Sequence, residues 1–285
     1  MANKCKHLII DGSNLFYRGY YIGNMVDKDG KKVNGIFNFM KMLNLLLVKF
    51  RPQYCIITWD LGKSRARYSI YPEYKAGRRS SLTKEQLENI SWQVGTIKFV
   101  LKALPVKQVE VMDVEADDIM GYLSKKTKGS KIIVSNDHDL LQLVSKDTSV
   151  YIPKTAKVVS DKNIESFLGI PRDRYVLYKA IVGDSSDNIK GINKMGPVKT
   201  KQLLSGDEVV LNPEWDEIIK RNLDLMDIGK LINKEEILQI RKVYMSEKKK
   251  EINPLLPRRI FTNLRFRSIV TRYNQWILPF KKLRT

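Results

Sequence analysis

The sequence predicts an α/β fold: a central, mainly parallel sheet flanked by helices, followed by a helical second part. Three observations carry this. Short runs rich in Ile, Val and Leu occur at 7–10, 54–58, 106–112 and 131–135; helical patterns separate them; and acidic residues directly follow several of them. The first run, His-Leu-Ile-Ile, ends at Asp11. Between 35 and 50, Ile36, Phe39, Met40, Leu43, Leu47 and Phe50 fall near one face of a helix. The second run precedes Asp60, a second helical pattern covers 84–104, and the third and fourth runs precede Glu115 and Asp137. Strands alternating with helices imply a parallel sheet. Open sheets of that kind bind ligands beyond the carboxyl ends of their strands, where Asp11, Asp60, Glu115 and Asp137 would lie. After about Asp161 the strand signal fades, so a boundary is expected near Pro171, dividing an α/β domain at 1–172 from a helical subdomain at 173–285.

A chain of 285 residues can bury a substantial core. Its 51 Lys and Arg against 31 Asp and Glu leave a formal net charge of +20, which favours a polyanionic partner through phosphate contacts and counterion release. Thirteen of the Lys and Arg lie between 241 and 285, with only Glu247 and Glu251 to oppose them. The Glu-Lys-Lys-Lys-Glu run at 247–251 reads as a solvated face or loop. Cys5 and Cys55 are far apart, with no CxxC or zinc spacing, so free thiols in a reducing compartment are expected. The start lacks the apolar core of a signal peptide, and no stretch approaches the length of a membrane span. A soluble, intracellular protein is expected, with no membrane partner.

Against this basic background, nine acids form five short clusters: Asp11, Asp60, Glu115/Asp117/Asp118, Asp137/Asp139 and Asp184/Asp187. Singly, each has an ordinary explanation. Acids in the first turn of a helix interact favourably with its dipole, Asp137 can cap a helix at 139–144, and Asp187 can belong to a turn. Glu115 and Asp118, spaced i and i+3, would share a helical face that Asp117 leaves. Together, converging carboxylates would raise one another's pKa values unless a cation sits among them, and hard oxygen ligands suit Mg²⁺ or Mn²⁺. Two such ions about 4 Å apart can deprotonate a water and stabilise the leaving oxygen of a phosphodiester. Histidine-based nucleophilic catalysis lacks support, since only His7 and His138 are present. His138 reads as structural or as a substrate-edge residue.

Five motifs in order then resemble one family: IIDGSNL at 9–15, YKAGR at 74–78, VEADD at 114–118, SNDHDLLQLV at 135–144 and GDSSDNIKG at 183–191. The chain resembles a 5′ nuclease of the flap endonuclease superfamily, similar to the phage enzymes and to the 5′ nuclease domain of bacterial DNA polymerase I. The resemblance implies a PIN-like 5′ nuclease fold with a helical arch over about 64–104 and a helix-three-turn-helix element over about 178–205. It implies a site for two Mg²⁺, with Mn²⁺ able to substitute, built from Asp11, Asp60, Glu115, Asp117, Asp118, Asp137, Asp139, Asp184 and Asp187. In family terms Asp11, Glu115, Asp117 and Asp118 serve chiefly the first ion, and Asp139, Asp184 and Asp187 the second. Catalytic roles fall to Lys75, Arg78, Asp118 and Asp139, with Lys75 stabilising charge on the scissile phosphate. DNA contacts fall to Arg18, Arg67, Tyr74, Lys75, Arg78, Gly191, Lys194, Gly196, Lys199 and Lys201, with Tyr74 stacking on a terminal base. Lys194-Met195-Gly196 stands where relatives often carry Gly-Ile-Gly, a departure that weighs against the family's K⁺ site.

The resemblance thus implies a monomeric, structure-specific 5′ nuclease, with 5′-3′ exonuclease, flap endonuclease and possible RNase H activity. It would act on branched or 5′-flap DNA and RNA-primed DNA in replication and repair, as a stand-alone phage or bacterial enzyme. Two rivals are a non-catalytic branched-DNA-binding relative and a PIN-like ribonuclease. A sliding clamp or single-strand-binding protein is a further candidate partner. The stretch Gln275-Trp276-Ile277-Leu278-Pro279-Phe280 loosely fits a clamp-binding peptide, against the alternative that Trp276, Leu278 and Phe280 pack on the core.

Overall fold

The computed structural model describes residues 5–76, 82–206, 209–246 and 252–284. Strands β1 (His7–Asp11), β2 (Tyr54–Thr58), β3 (Lys107–Val109), β4 (Lys131–Val134), β5 (Thr148–Ile152) and β6 (Lys157–Val159) form one sheet in the order β3-β2-β1-β4-β5-β6. Every pairing is parallel except β5 with β6. The expected α/β class and mainly parallel sheet are therefore found. β5 and β6 add to the four strands read from sequence. β3 is shorter than its apolar run because the chain leaves the sheet after Val109: the Asp113 amide donates to the Leu61 carbonyl at 2.7 Å, and Val114 bridges Leu61 antiparallel.

The strands alternate between two cores, as a period of two demands. Leu8 and Ile10, Cys55 and Ile57, and Ile132 and Val134 enter the first core; Ile9, Ile56 and Ile133 enter the second. Over the first core lie α1 (Gly12–Tyr20), α2 (Asn34–Phe50) and, beyond α3 (Arg65–Ile70), α4 (Lys84–Lys102). A capping box of Thr83 and Gln86 starts α4. Gly12 lets α1 leave β1 tightly, since a Cβ there would meet the Thr58 carbonyl oxygen at 2.8 Å.

Over the second core lie α5 (Ala116–Lys126), then α6 (Ile164–Leu168), α7 (Tyr175–Val182), a two-strand hairpin of β7 (Gly183–Asp184) and β8 (Ile189–Lys190), α8 (Pro197–Leu204), α9 (Asp216–Met226) and α10 (Lys234–Ser246). The remaining helices, α11 (Leu255–Asn263), α12 (Arg267–Thr271) and α13 (Tyr273–Lys281), return to the first core. Phe261, Phe266, Trp276 and Phe280 bury there beside α2 and α4, and the Asn44 amide donates to the Trp276 carbonyl at 2.6 Å. Packing thus divides the chain along a different line from 172/173: α7–α10 join one face of the sheet and α11–α13 the other. The reason is the apolar outer surface of α2 and α4, which needs a cover. It also removes Trp276 and Phe280 from any clamp-binding peptide, since both are buried and only Leu278 of the three is exposed. No helix among the described residues is long and apolar enough to cross a membrane.

Candidate active site

β1 sits between β2, which leads to β3, and β4, which leads to β5, so the strand order reverses at β1 and β4. A crevice opens beyond the strand ends at such a reversal. Here it is a cleft of about 680 Å³ lined by Asp11, Asp60, Glu115, Asp117, Asp137, Asp139 and Asp187, with Arg18, Lys75 and Lys154 among the bases.

Each acid is placed by the local chain. Asp11 ends β1 and caps α1, its Oδ1 accepting from the Asn14 amide at 2.8 Å while Oδ2 accepts from the Ser135 hydroxyl at 3.0 Å. Asp60 follows β2 and accepts from the Ala116 amide at 2.9 Å, which seats the start of α5 against that strand. Asp137 follows β4 and accepts from the Asp139 amide at 2.9 Å, capping the 3-10 helix His138–Leu143. Glu115 is the N-cap of α5 with extended φ/ψ of −75° and 150°, so helical spacing begins only at Ala116. Glu115 and Asp118 still share a partner, since Arg67 Nη1 lies 3.5 Å from Glu115 and 2.5 Å from Asp118, but only Glu115 and Asp117 line the cleft.

Asp118 is instead 3% exposed and fully engaged. Arg67 forks onto both its oxygens, at 2.5 Å and 3.0 Å, and the Gly229 amide adds a third bond at 2.8 Å. This differs from two expectations. Asp118 is absent from the cleft lining, and Arg67, itself 3% exposed, reaches the cleft with its guanidinium committed to Asp118 and Glu115. Arg67 also donates from Nε to the Leu225 carbonyl at 2.9 Å, tying α3 to α9. Tyr74 is corrected as well. It is 2% exposed with its hydroxyl donating to Glu115 at 3.0 Å, so its ring is not offered to a base.

Two lysines stand among the carboxylates. Lys75 Nζ lies 2.8 Å from Glu115 and 3.8 Å from Asp187. Its backbone is left-handed, with φ of 54°, a conformation that costs a non-glycine residue roughly 1 kcal/mol or more. The Lys75 amide donating to the Asp187 carbonyl at 2.8 Å helps hold it there. Lys179, on α7, pairs with Asp139 at 2.8 Å and with Asp184 at 2.6 Å, drawing the β7–β8 hairpin toward the sheet. Sequence reading missed Lys179 because nothing local marks it; its partner Asp139 is forty residues upstream. Asn14, Ser135 and Asn136, which bond within the site, lie inside the quoted motifs and were legible there.

The electrostatics divide accordingly. Burial, then Asp60, pushes the Asp11 carboxyl up to about 7, against the Asn14 and Ser135 bonds. Burial, then Asp137, Asp11 and Asp60, holds Asp117 well above the carboxylate range. Burial and Asp137 carry Asp139 to about 6 despite Lys179. Burial works against the Glu115 anion too, yet Lys75 and Arg67 outweigh it and hold its pKa below the ordinary value. Asp184 is likewise lowered, burial being overcome by Lys179 and Ser186.

A divalent cation fits these residues. The donors facing the cleft are hard oxygens, and the raised carboxyls mark where positive charge would lower the energy. Among the described residues no three His, Cys, Asp or Glu side chains form a ready cage. Mg²⁺ does not require one, since it keeps several waters and takes one or two carboxylates directly.

The residues expected from sequence to contact DNA fall in three places. Arg18 ends α1 at the cleft. Lys194 and Lys199 are exposed on the turn and helix after β8, with Lys201 half-buried beside them; Lys194 is left-handed at φ 62° where a glycine was expected. Gly191 is required by packing, because a Cβ there would lie 2.2 Å from the Val182 carbonyl oxygen, and Gly196 is the N-cap of α8. Arg78 lies outside the described residues.

Comparison with known proteins agrees with this architecture. Residues 6–169 match the family model "5′-3′ exonuclease, N-terminal resolvase-like domain". The chain is 34% identical over 193 residues to a 5′-3′ exonuclease of Aquifex aeolicus, covering 66% of this chain and 65% of that one. It is 32% identical over 218 residues to DNA polymerase I of Lactococcus lactis, covering 72% of this chain but 24% of the relative, so it spans about a quarter of such polymerases. In fold it is similar to the bacteriophage T5 flap endonuclease, solved with DNA and metal ions, at a TM-score of 0.70 and 19% identity over 84% of this chain and 98% of that one.

Proposed function

The chain belongs to the 5′-3′ exonuclease and flap endonuclease family of nucleases, and on that premise we propose that it is a divalent-metal-dependent, structure-specific 5′ nuclease. It removes 5′ flaps, 5′ ends and RNA primers from branched or primed DNA. The observation that carries this reading is the convergence of seven carboxylates from five chain segments on one cleft, with Lys75 and Lys179 as the internal cations.

Asp11, Asp60, Asp117 and Asp137 would hold one divalent ion, and Asp139, Asp184 and Asp187 a second, with Mg²⁺ the natural occupant and Mn²⁺ a substitute. Bound ions supply the charge that activates a water and stabilises the leaving oxygen. The chain's own residues do the rest. Glu115, kept ionised by Lys75 and Arg67 and oriented by the Tyr74 hydroxyl, holds the Lys75 ammonium at the rim, where it meets phosphate charge as it develops. Lys179 holds Asp139 and Asp184 together across the cleft wall. Arg18 on one side and Lys194 and Lys199 on the other take the phosphate backbone, which positions a duplex without reading its bases. Hydrolysis adds water across the P–O3′ bond and leaves a 5′-phosphate and a 3′-hydroxyl.

Cleavage of 5′-labelled flap, nicked, single-stranded and RNA-primed DNA, in Mg²⁺ and in EDTA, tests this. Cuts near the flap junction or short 5′ products in Mg²⁺ alone are expected. Flap binding with no cut in either Mg²⁺ or Mn²⁺ would overturn the nuclease reading in favour of a branched-DNA-binding protein.

A further inference from the structure

The layer α11–α13 has a composition unlike the rest of the chain. Residues 252–284 contain eight Lys or Arg and no acid, and all eight are exposed. Elsewhere acids are interspersed and several cations pair with them, as Arg67, Arg172, Lys179 and Lys230 do. Among the described residues no salt bridge to any of these eight is formed. The buried residues of the same segment, Phe261, Phe266, Trp276 and Phe280 among them, all face α2 and α4. The layer therefore has an apolar inside that holds it down and an outside whose charges are all positive and form no salt bridge among the described residues.

We propose that this outer face is a second nucleic-acid-binding surface, gripping the phosphate backbone of the arm that leaves the cleft on the side opposite α8; this rests on the nuclease reading. Two placements argue for it. First, the face begins near the cleft. Phe266 packs edge-on against Phe37 in the first turn of α2, with ring centroids 5.2 Å apart, which sets Arg265 and Arg267 beside that turn. Asn34, the first residue of α2, bonds the carbonyls of Tyr20 and Ile22 at the end of α1, the helix that presents Arg18 to the cleft. Second, α8 with Lys194 and Lys199 belongs to the other face of the sheet. A branched substrate centred on the cleft has arms on both sides, and each meets a basic surface.

The face also carries a formed notch. A cavity of about 230 Å³ between α11 and α12–α13 is lined by Arg258, Thr271, Arg272, Tyr273, Asn274 and Gln275. Two guanidiniums, the Thr271 hydroxyl and two side-chain amides are a donor set suited to phosphate oxygens, and guanidinium matches phosphate bidentately. The Arg258 guanidinium lies 5.9 Å from the Tyr273 ring centroid, and the Tyr273 hydroxyl donates to the Pro254 carbonyl at 2.6 Å, which braces the notch from behind. A lipid surface fits less well. The exposed large apolar side chains of the layer are Leu255 and Leu278, on different helices, with no continuous apolar stripe to enter a bilayer.

The test uses the full chain and two double variants, Arg258→Gln/Arg272→Gln and Arg265→Gln/Arg267→Gln. Binding to a flap DNA with long duplex arms, and to versions with each arm shortened in turn, is followed by anisotropy in EDTA across a KCl series. Wild type is expected to favour the long-armed DNA over one of the shortened forms by roughly 10-fold or more at 0.1 M salt, and each double variant to lose that advantage with a log–log salt slope smaller by about 2. Melting temperature and the maximal cleavage rate on the short-armed flap stay unchanged. Variants that match wild type in both arm-length preference and salt slope would overturn the proposal. So would variants that keep their DNA affinity but lose binding to phosphatidylserine vesicles. If wild type cuts nothing yet its arm-length preference still depends on these arginines, the nuclease reading fails and the second surface stands.

Discussion

The two halves of the cleft contain the same chemistry in opposite states. On the sheet side, Asp11, Asp60, Asp117 and Asp137 press together, and burial with mutual repulsion drives Asp11 to about 7 and Asp117 well upward. On the side of α3 and α7, Glu115 and Asp184 are half-buried, yet Lys75, Arg67 and Lys179 pull both below their ordinary values. Burial alone does not set the charge of an acid. Cations decide part of it: Lys75, Arg67 and Lys179 hold Glu115 and Asp184 down, Asp139 is raised to about 6 by burial and Asp137 even beside Lys179, and among the described residues no salt bridge reaches Asp11 or Asp117.

Removing a charge from the half without a cation should break this contrast most visibly. Asp117→Asn keeps the side-chain shape but removes an ion ligand, so cleavage should fall on the order of 10³-fold, some 4 kcal/mol of barrier, in single-turnover assays. The same change should leave the metal-free fold as stable or more so, because it relieves repulsion. Arg67→Ala acts in the other half by stranding Asp118 as a buried charge, which costs about 3–5 kcal/mol. Thermal melting should drop by about 10 °C, while Arg67→Met with Asp118→Leu should recover much of it. Asp118→Asn should sharpen the same point. Calorimetric titration should find Mg²⁺ or Ca²⁺ affinity close to wild type, and a loss comparable to that of Asp117→Asn would make Asp118 a ligand after all.

Lys179→Met removes the cation shared by Asp139 and Asp184. Cleavage should fall by about 10²-fold, in the range for one electrostatic contact, and the acid limb of the pH–rate profile should move to higher pH as both carboxyls become harder to ionise. The smallest effect concerns pH. Asp11 and Asp139 titrate near 7 and 6 in the fold, above the value of about 3.9 for an unfolded aspartate. The folded chain therefore holds more protons, and these groups support stability fully below about pH 4 and lose that support as pH rises toward 7. The metal-free melting temperature should fall by several degrees between pH 5 and 7.5, and millimolar Mg²⁺ should remove most of the fall. A pH-independent melting temperature would mean that these carboxyls titrate normally.

The sequence by itself determined the sheet and its rim. Apolar runs ending in acids place Asp11, Asp60 and Asp137 at strand ends, because strand direction and period are local properties of the chain. It also marked YKAGR and GDSSDNIKG, whose residues Lys75 and Asp187 meet in the fold at 3.8 Å. What the tertiary structure alone decided is which neighbour each charge meets. Asp117 and Asp118 are adjacent in sequence and share the same local pattern, yet one faces the cleft and the other is claimed by Arg67, fifty-one residues upstream, and by Gly229, 111 residues downstream. Lys179 is one of many lysines until α7 brings it between Asp139 and Asp184. The return of α11–α13 to the first face is of the same kind, since the exposed apolar side of α2 and α4 that draws them exists only once the sheet has formed. Local propensity reaches along the chain for a few residues, whereas Coulomb attraction and burial act across whatever the fold brings together.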